Sequence, residues 1–168
     1  MAFIGRISPE KGVDAAIQID KKVGIKLKIA AKVSQKDQAY FDSEIRHLLN
    51  DPIIEFVGEI GEIEKGDFLG NAMAMLFPID WPEPFGMVII ESFACGTPVI
   101  AYNHGSVPEI INDGKTGFIV ESIDQALQAV NKIDKIKRKN CREEFETRFN
   151  VERMCKDYLN VYSQLIKR

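Results

Sequence analysis

Short apolar runs recur along the chain at residues 2–5, 27–31, 53–57, 74–77, 98–101 and 117–120, rich in β-branched side chains. Between most of them lie longer stretches in which apolar positions return every three or four residues, the spacing of a helix with one buried face. Runs that are apolar at successive positions, rather than at alternate ones, belong to strands covered on both sides. The alternation therefore predicts βαβ units and an α/β fold, a doubly wound, Rossmann-like parallel sheet of about six strands with helices on both faces. In such a sheet a ligand sits beyond the carboxyl ends of the strands.

The helical stretches carry start and stop signals. Ser8-Pro9-Glu10-Lys11 places an N-cap serine before a proline at the first helical position, with Val13, Ala16 and Ile17 as the apolar stripe, and predicts a helix from Pro9. Residues 36–49 carry Tyr40, Phe41, Ile45, Leu48 and Leu49 at mostly three- and four-residue steps, closed by Asn50-Asp51-Pro52. Another helix starts near Phe85 or Gly86 and puts Glu91 in its second turn. After the last strand a helix opens at Ser122 or Asp124 and runs through Ile133, and residues 136–149 and 151–166 form a helical tail. The charged run at residues 134–139 reads as a solvated helix face. There is no internal repeat, low-complexity segment or linker, so residues 1–168 read as one domain.

Composition narrows the classes. A chain of 168 residues with 45% hydrophobic content can bury a full core. Its net charge of −3, with both signs interspersed, gives no basic face for a nucleic-acid backbone. No apolar run approaches the ~20 residues of a membrane-spanning helix. Cys95, Cys141 and Cys155 are odd in number, widely spaced and in no metal-ligand pattern, which points to reduced thiols and a cytoplasmic setting. A core strand that starts at the first residues, with no lead-in, predicts a piece of a longer protein whose missing part lies upstream.

The candidate chemistry lies at the turn after the first apolar run and at the helix start after the fourth. Glu83 and Glu91 stand eight residues apart on either side of a helix start, so two carboxylates can reach different parts of one extended ligand. The free N–H groups of that helix start can meet a phosphate between them. Arg6 and Lys11 flank the turn from the first strand into the first helix, where a planar fork and a point charge can clamp a diphosphate.

Together these pieces resemble a known family. Gly5-Arg6 with Lys11-Gly12, Phe56-Val57-Gly58, Glu83-Pro84-Phe85-Gly86 with Glu91, Ala94-Cys95-Gly96-Thr97-Pro98-Val99, and Pro108-Glu109 with Gly114 and Thr116-Gly117 follow one another over residues 3 to 120. The set resembles the carboxyl-terminal half of the retaining, GT-B type glycosyltransferases of family four. The resemblance implies one half of a GT-B fold, the donor domain, which binds a nucleotide-diphosphate sugar while an amino-terminal domain supplies most of the acceptor site. On this sequence Arg6 and Lys11 match the diphosphate contacts, Glu83 the acid that approaches the donor sugar and Glu91 the acid on the ribose hydroxyls. Phe85, Gly86 and Met87 match the turn whose amides face sugar and phosphate. Gly58 and Ile60 match the segment beside the base, and Gly105 a position that leaves room near the sugar. Ala30-Ala31-Lys32-Val33 departs from the glycine-rich turn the family often carries, and Ser106 departs from a paired glycine.

The implied enzyme is a hexosyltransferase-like transferase of carbohydrate biosynthesis, with no metal or other cofactor. Its full-length form could attach peripherally to the inner face of a membrane, and the 168-residue piece alone is expected to be inactive. A sugar-nucleotide epimerase on the same architecture, or a nucleotide-binding module without activity, are the alternatives. His47 and His104 read as plain polar residues, Trp81 and Phe77 as core or lip packing, and Glu109 as a brace for the turn after Pro108.

Overall fold

The computed structural model describes residues 1–166. Six strands, β1 (Ala2–Arg6), β2 (Leu27–Lys32), β3 (Ile54–Gly58), β4 (Met75–Phe77), β5 (Val99–Tyr102) and β6 (Gly117–Val120), form one sheet in the order β3-β2-β1-β4-β5-β6. Every pairing is parallel. Each strand lies within one or two residues of its predicted run, because runs buried on both faces have little freedom to slide. Successive strands step outward from β1 in one direction and from β4 in the other. Right-handed crossovers then place the connecting helices on opposite faces.

Those helices are α1 (Val13–Val23), α2 (Gln38–Tyr40), α3 (Glu62–Gly70), α4 (Met87–Ala94), α5 (Val107–Ile110), α6 (Ile123–Val130), α7 (Arg138–Arg148) and α8 (Val151–Ile166). Helix α1 packs beside α6, and α4 beside α7. The side chains sealed between helices and sheet include Phe93, Ile7, Ile17, Ile29, Met75 and Leu76, all below 2% exposed. Complete burial of each large aliphatic or aromatic group contributes about 1.5–3 kcal/mol.

Four expectations change. The helix predicted from Pro9 is divided: Pro9–Lys11 form one 3-10 turn, Gly12 turns left-handed at φ 67°, and α1 begins at Val13. Ser8 makes no side-chain capping bond there. A Cβ at Gly12 would stand 2.0 Å from the Pro78 carbonyl oxygen, so the close approach of two loops, not a cap, decides the break. Residues 35–50 are helical but irregular, with 3-10 turns at Gln35–Asp37 and Arg46–Asn50 and a wide π turn at Phe41–Ile45. Apolar positions 40, 41, 45, 48 and 49 do not fit one regular stripe, and the widened turn brings Ile45 fully into the core.

The helix after β6, capped by Ser122 Oγ accepting from the Gln125 N–H, ends at Val130, and Ile133–Lys135 form a separate 3-10 turn. The charged run at 134–139 is not simply solvated. Arg138 donates to the carbonyls of Ala72 (2.7 Å), Gly70 (2.6 Å) and Cys95 (3.3 Å) and to Thr97 Oγ1 (2.7 Å). One guanidinium thus gathers acceptors from the ends of α3 and α4, which the helices themselves leave unpaired.

Helix α8 buries no residue, and Met154, Tyr158, Tyr162 and Leu165 are exposed along it. Among the described residues no helix is long and apolar enough to cross a membrane.

Candidate functional site

The switch point of the sheet lies between β1 and β4, where neighbouring crossovers leave in opposite directions and open a crevice. A cleft of about 390 Å³ occupies it. Gly5 of β1, Ala31 and Lys32 of β2 and Phe77 of β4 form its floor, and Lys11, Ile60, Lys65, Glu83, Gly86, Met87, Val88 and Glu91 its walls. A second cavity of about 500 Å³, beside Met1, Lys26, Asp67 and Phe68, is larger but lies at the amino ends of the strands. A doubly wound sheet collects its loops, and so its ligand groups, at the opposite end.

Two sequence motifs 72 residues apart meet in the cleft. Lys11 Nζ donates to Glu83 Oε2 at 2.8 Å, with the side chains 24% and 17% exposed. The Trp81 indole N–H approaches the same oxygen at 3.4 Å. The loop carrying Glu83 is held by its backbone: the Ser106 N–H donates to the Glu83 carbonyl at 2.8 Å, and the Asp80 N–H to the Glu10 carbonyl at 2.9 Å. The first bond ties it to the segment after β5 and the second to the turn that presents Lys11.

Glu91 lies in the second turn of α4, as expected, and its Oε1 accepts from Lys65 Nζ at 3.0 Å. Lys65 also donates to Glu62 Oε1 at 2.8 Å. The bond to Glu62 first, and that to Glu91 after it, hold the Lys65 ammonium above its ordinary pKa, against the opposing effect of partial burial. Lys65 was not read from the sequence. It stands in a charged stretch without an apolar stripe, and its contact with Glu91 spans 26 residues.

Helix α4 opens at Gly86, which is left-handed at φ 72° and supplies no side-chain cap. The Ile89 N–H donates to the Gly86 carbonyl at 2.9 Å, so the N–H groups of Met87 and Val88, at the cleft wall, are the ones without a helical partner. A Cβ at Gly86 would come within 3.0 Å of Ile89 Cδ1 and 3.7 Å of Glu83 Cγ.

Other predicted residues lie elsewhere. Arg6 ends β1, is 54% exposed at its side chain and bonds Glu10 at 3.0 Å, outside the cleft lining. Such an exposed pair holds weakly. Phe85 turns its ring away, edge-on to Phe149 at 6.5 Å. Gly58, at φ 78°, turns the chain after β3 so that Glu59 and Ile60, rather than Gly58 itself, line the cleft.

Gly105 is also outside the lining. A Cβ there would sit 2.3 Å from the Glu83 carbonyl oxygen and 2.4 Å from its nitrogen, so the space beside Gly105 is filled by the Glu83 loop. His104 stands 3.9 Å from Asp80, and all three cysteines are free thiols. Among the described residues no three His, Cys, Asp or Glu side chains gather as a metal would require.

The cleft thus offers carboxylate oxygens to hydroxyl donors, and ammonium and backbone N–H groups to anionic oxygens. With its place at the switch point, this defines a Rossmann-like ligand-binding domain. The chain matches the model of the family described as glycosyl transferases group 1 over residues 1–151, and it belongs to that family. It is 30% identical over 140 residues to a D-inositol 3-phosphate glycosyltransferase of Streptomyces scabiei, a match covering 76% of this chain and 31% of that protein.

In fold it is similar to Anabaena HepE, solved in complex with UDP, at a TM-score of 0.84 and 20% identity, over 96% of this chain and 48% of that one. It is also similar to the crystallised C-terminal domain of a glycosyl transferase group 1 family protein of Francisella tularensis. That match has a TM-score of 0.72 and 24% identity, over 89% of this chain and 86% of that one. The chain spans about a third of the length of the Streptomyces protein and about half of HepE.

Proposed function

We propose that the chain is the donor-binding half of a retaining glycosyltransferase that moves a sugar from a nucleoside-diphosphate sugar to an acceptor. The observation that carries the reading is the meeting of Lys11 and Glu83 at 2.8 Å in a switch-point cleft that Glu91 also lines. Glu91 accepts from the ribose hydroxyls and Glu83 from the donor sugar. The diphosphate lies between them against Lys11 and the start of α4. As the bond between sugar and phosphate breaks, negative charge gathers on the departing oxygen, and the Lys11 ammonium and the α4 N–H groups neutralise it. Arg6 joins them by leaving its exposed pair with Glu10.

Glu83 and Glu91 act by position, since one is committed to the ribose and no pair of carboxylates flanks the scissile bond. The ammonium and N–H groups supply the charge that a divalent ion supplies elsewhere, so transfer proceeds without metal. The acceptor comes from another domain. The exposed lip of Trp81, Phe85 and Met87 and the uncovered apolar side of α8 support a covering partner of that kind. The setting of the full enzyme is cytoplasmic, with the inner face of a membrane open to it.

The test is calorimetric titration of the 168-residue chain with UDP-, GDP- and ADP-linked sugars, repeated for Glu91→Ala. At least one donor binds the parent chain, the variant binds it at least about tenfold more weakly, and neither transfers sugar. Binding of none would end the donor-domain reading, and unchanged binding by the variant would remove Glu91 from the site.

A further inference from the structure

We propose that Lys65 is a positioning residue of the nucleotide site: it fixes one oxygen of Glu91 and so presents the other to the vicinal hydroxyls of the ribose. This rests on the donor-binding reading above.

Four observations carry it. Lys65 is only 19% exposed at its side chain, on a helix whose neighbouring Glu62 and Ile63 are 88% and 95% exposed, so α3 turns its one lysine inward to the cleft. Its ammonium reaches across 26 residues to Glu91 Oε1 at 3.0 Å, and both side chains line the same cleft. Glu91 is itself partly buried, 31% exposed at its side chain, on a helix turn between the buried Ile90 and Ser92. Among the described residues Lys65 is the one side-chain partner of the Glu91 carboxylate, whereas Lys65 is anchored a second time by Glu62 at 2.8 Å.

The physical consequence is twofold. A carboxylate with one oxygen held by an ammonium loses its freedom to rotate about the last side-chain bond, and its second oxygen is already placed for two hydroxyl donors. The positive charge also offsets that of Glu91 next to a ligand bearing a diphosphate, where an unpaired acid would repel it. A plain stabilising ion pair would do neither, and the two roles separate by ligand chemistry.

The experiment titrates the 168-residue chain with UDP, GDP and ADP, takes the tightest binder, and compares it with its 2′,3′-dideoxy counterpart in the parent, Lys65→Met, Lys65→Arg, Glu91→Gln and the Lys65→Met/Glu91→Gln pair. Thermal melting checks that each variant folds, and Lys65→Gln replaces Lys65→Met if the latter does not. Lys65→Met weakens the ribonucleotide about tenfold, the worth of one charge-assisted hydrogen bond, and the dideoxynucleotide less than about twofold. Lys65→Arg recovers most of the loss, and the double variant binds no more weakly than Glu91→Gln.

Equal losses for both nucleotides, or additive losses in the double variant, would overturn the proposal. Weakening by Glu91→Gln with none by Lys65→Met would defeat the role of Lys65 alone. No effect of Glu91→Gln, or binding of no nucleotide, would defeat the donor-binding reading and the proposal with it.

Discussion

Replacing Gly105 by alanine tests whether this glycine serves the loop that holds Glu83. The residue is left-handed at φ 57°, which costs an alanine about 1–2 kcal/mol. Its new Cβ would also lie 2.3 Å from the carbonyl oxygen and 2.4 Å from the nitrogen of Glu83, and 2.7 Å from the Pro82 carbonyl carbon. All three are backbone atoms, so no side chain can swing aside, and the loop must move at an overpacking cost of about 1–3 kcal/mol. The total, about 2–5 kcal/mol, lowers the melting temperature by roughly 4–20 °C in a chain of this size.

Gly24→Ala is the control. Gly24 is left-handed at φ 71° with nothing within 4 Å of its Cβ position, so it carries the conformational cost without the collision. Differential scanning calorimetry of the two variants isolates the clash. Nucleotide-sugar titration then reads the loop: Gly105→Ala weakens the intact sugar nucleotide more than the bare nucleoside diphosphate, because Glu83 faces the sugar. Equal melting of Gly105→Ala and Gly24→Ala would refute the packing account, and would return Gly105 to the role of leaving room for a sugar.

Asp20, fully buried in α1, has its carboxyl pushed up to about 7 by burial, with the Met1 ammonium opposing. The folded state therefore holds this proton more tightly than the unfolded chain, whose aspartate titrates near 3.9, and the stability it brings below pH ~4 is lost as pH rises through about 7. Urea unfolding at pH 4.5 and 8 should show the difference between Asp20→Asn and parent shifting in favour of asparagine by about 1–4 kcal/mol; parallel pH profiles would contradict this. Arg138→Ala strips hydrogen bonds from Ala72, Gly70 and Thr97 and should cost about 2–4 kcal/mol in the same assay. A loss below about 0.5 kcal/mol would show that water replaces the guanidinium there.

The strands and their order of appearance were legible because a parallel strand is buried on both faces, and continuous apolar runs at 27–31 or 98–101 have no other common use. Glu83, Glu91 and the glycine between them were legible because the opening of a helix is local. Less could be read where a residue's role depends on a distant partner. The helix expected from Pro9 breaks at Gly12 because Pro78 approaches it, and Arg138 looks like one more surface charge until four acceptors at and just beyond the ends of α3 and α4 surround it.

The site divides in the same way. Sequence by itself determined the alternating α/β architecture, the family, and the two acids with the helix start between them, since each rests on short local patterns and on their order along the chain. Tertiary structure decided that Lys11 meets Glu83, that Lys65 meets Glu91, that Arg6 rests against Glu10, and that the Glu83 loop packs against Gly105. Charge pairing acts over a few ångströms in space, and loop closure brings together positions whose separation along the chain carries no record of it.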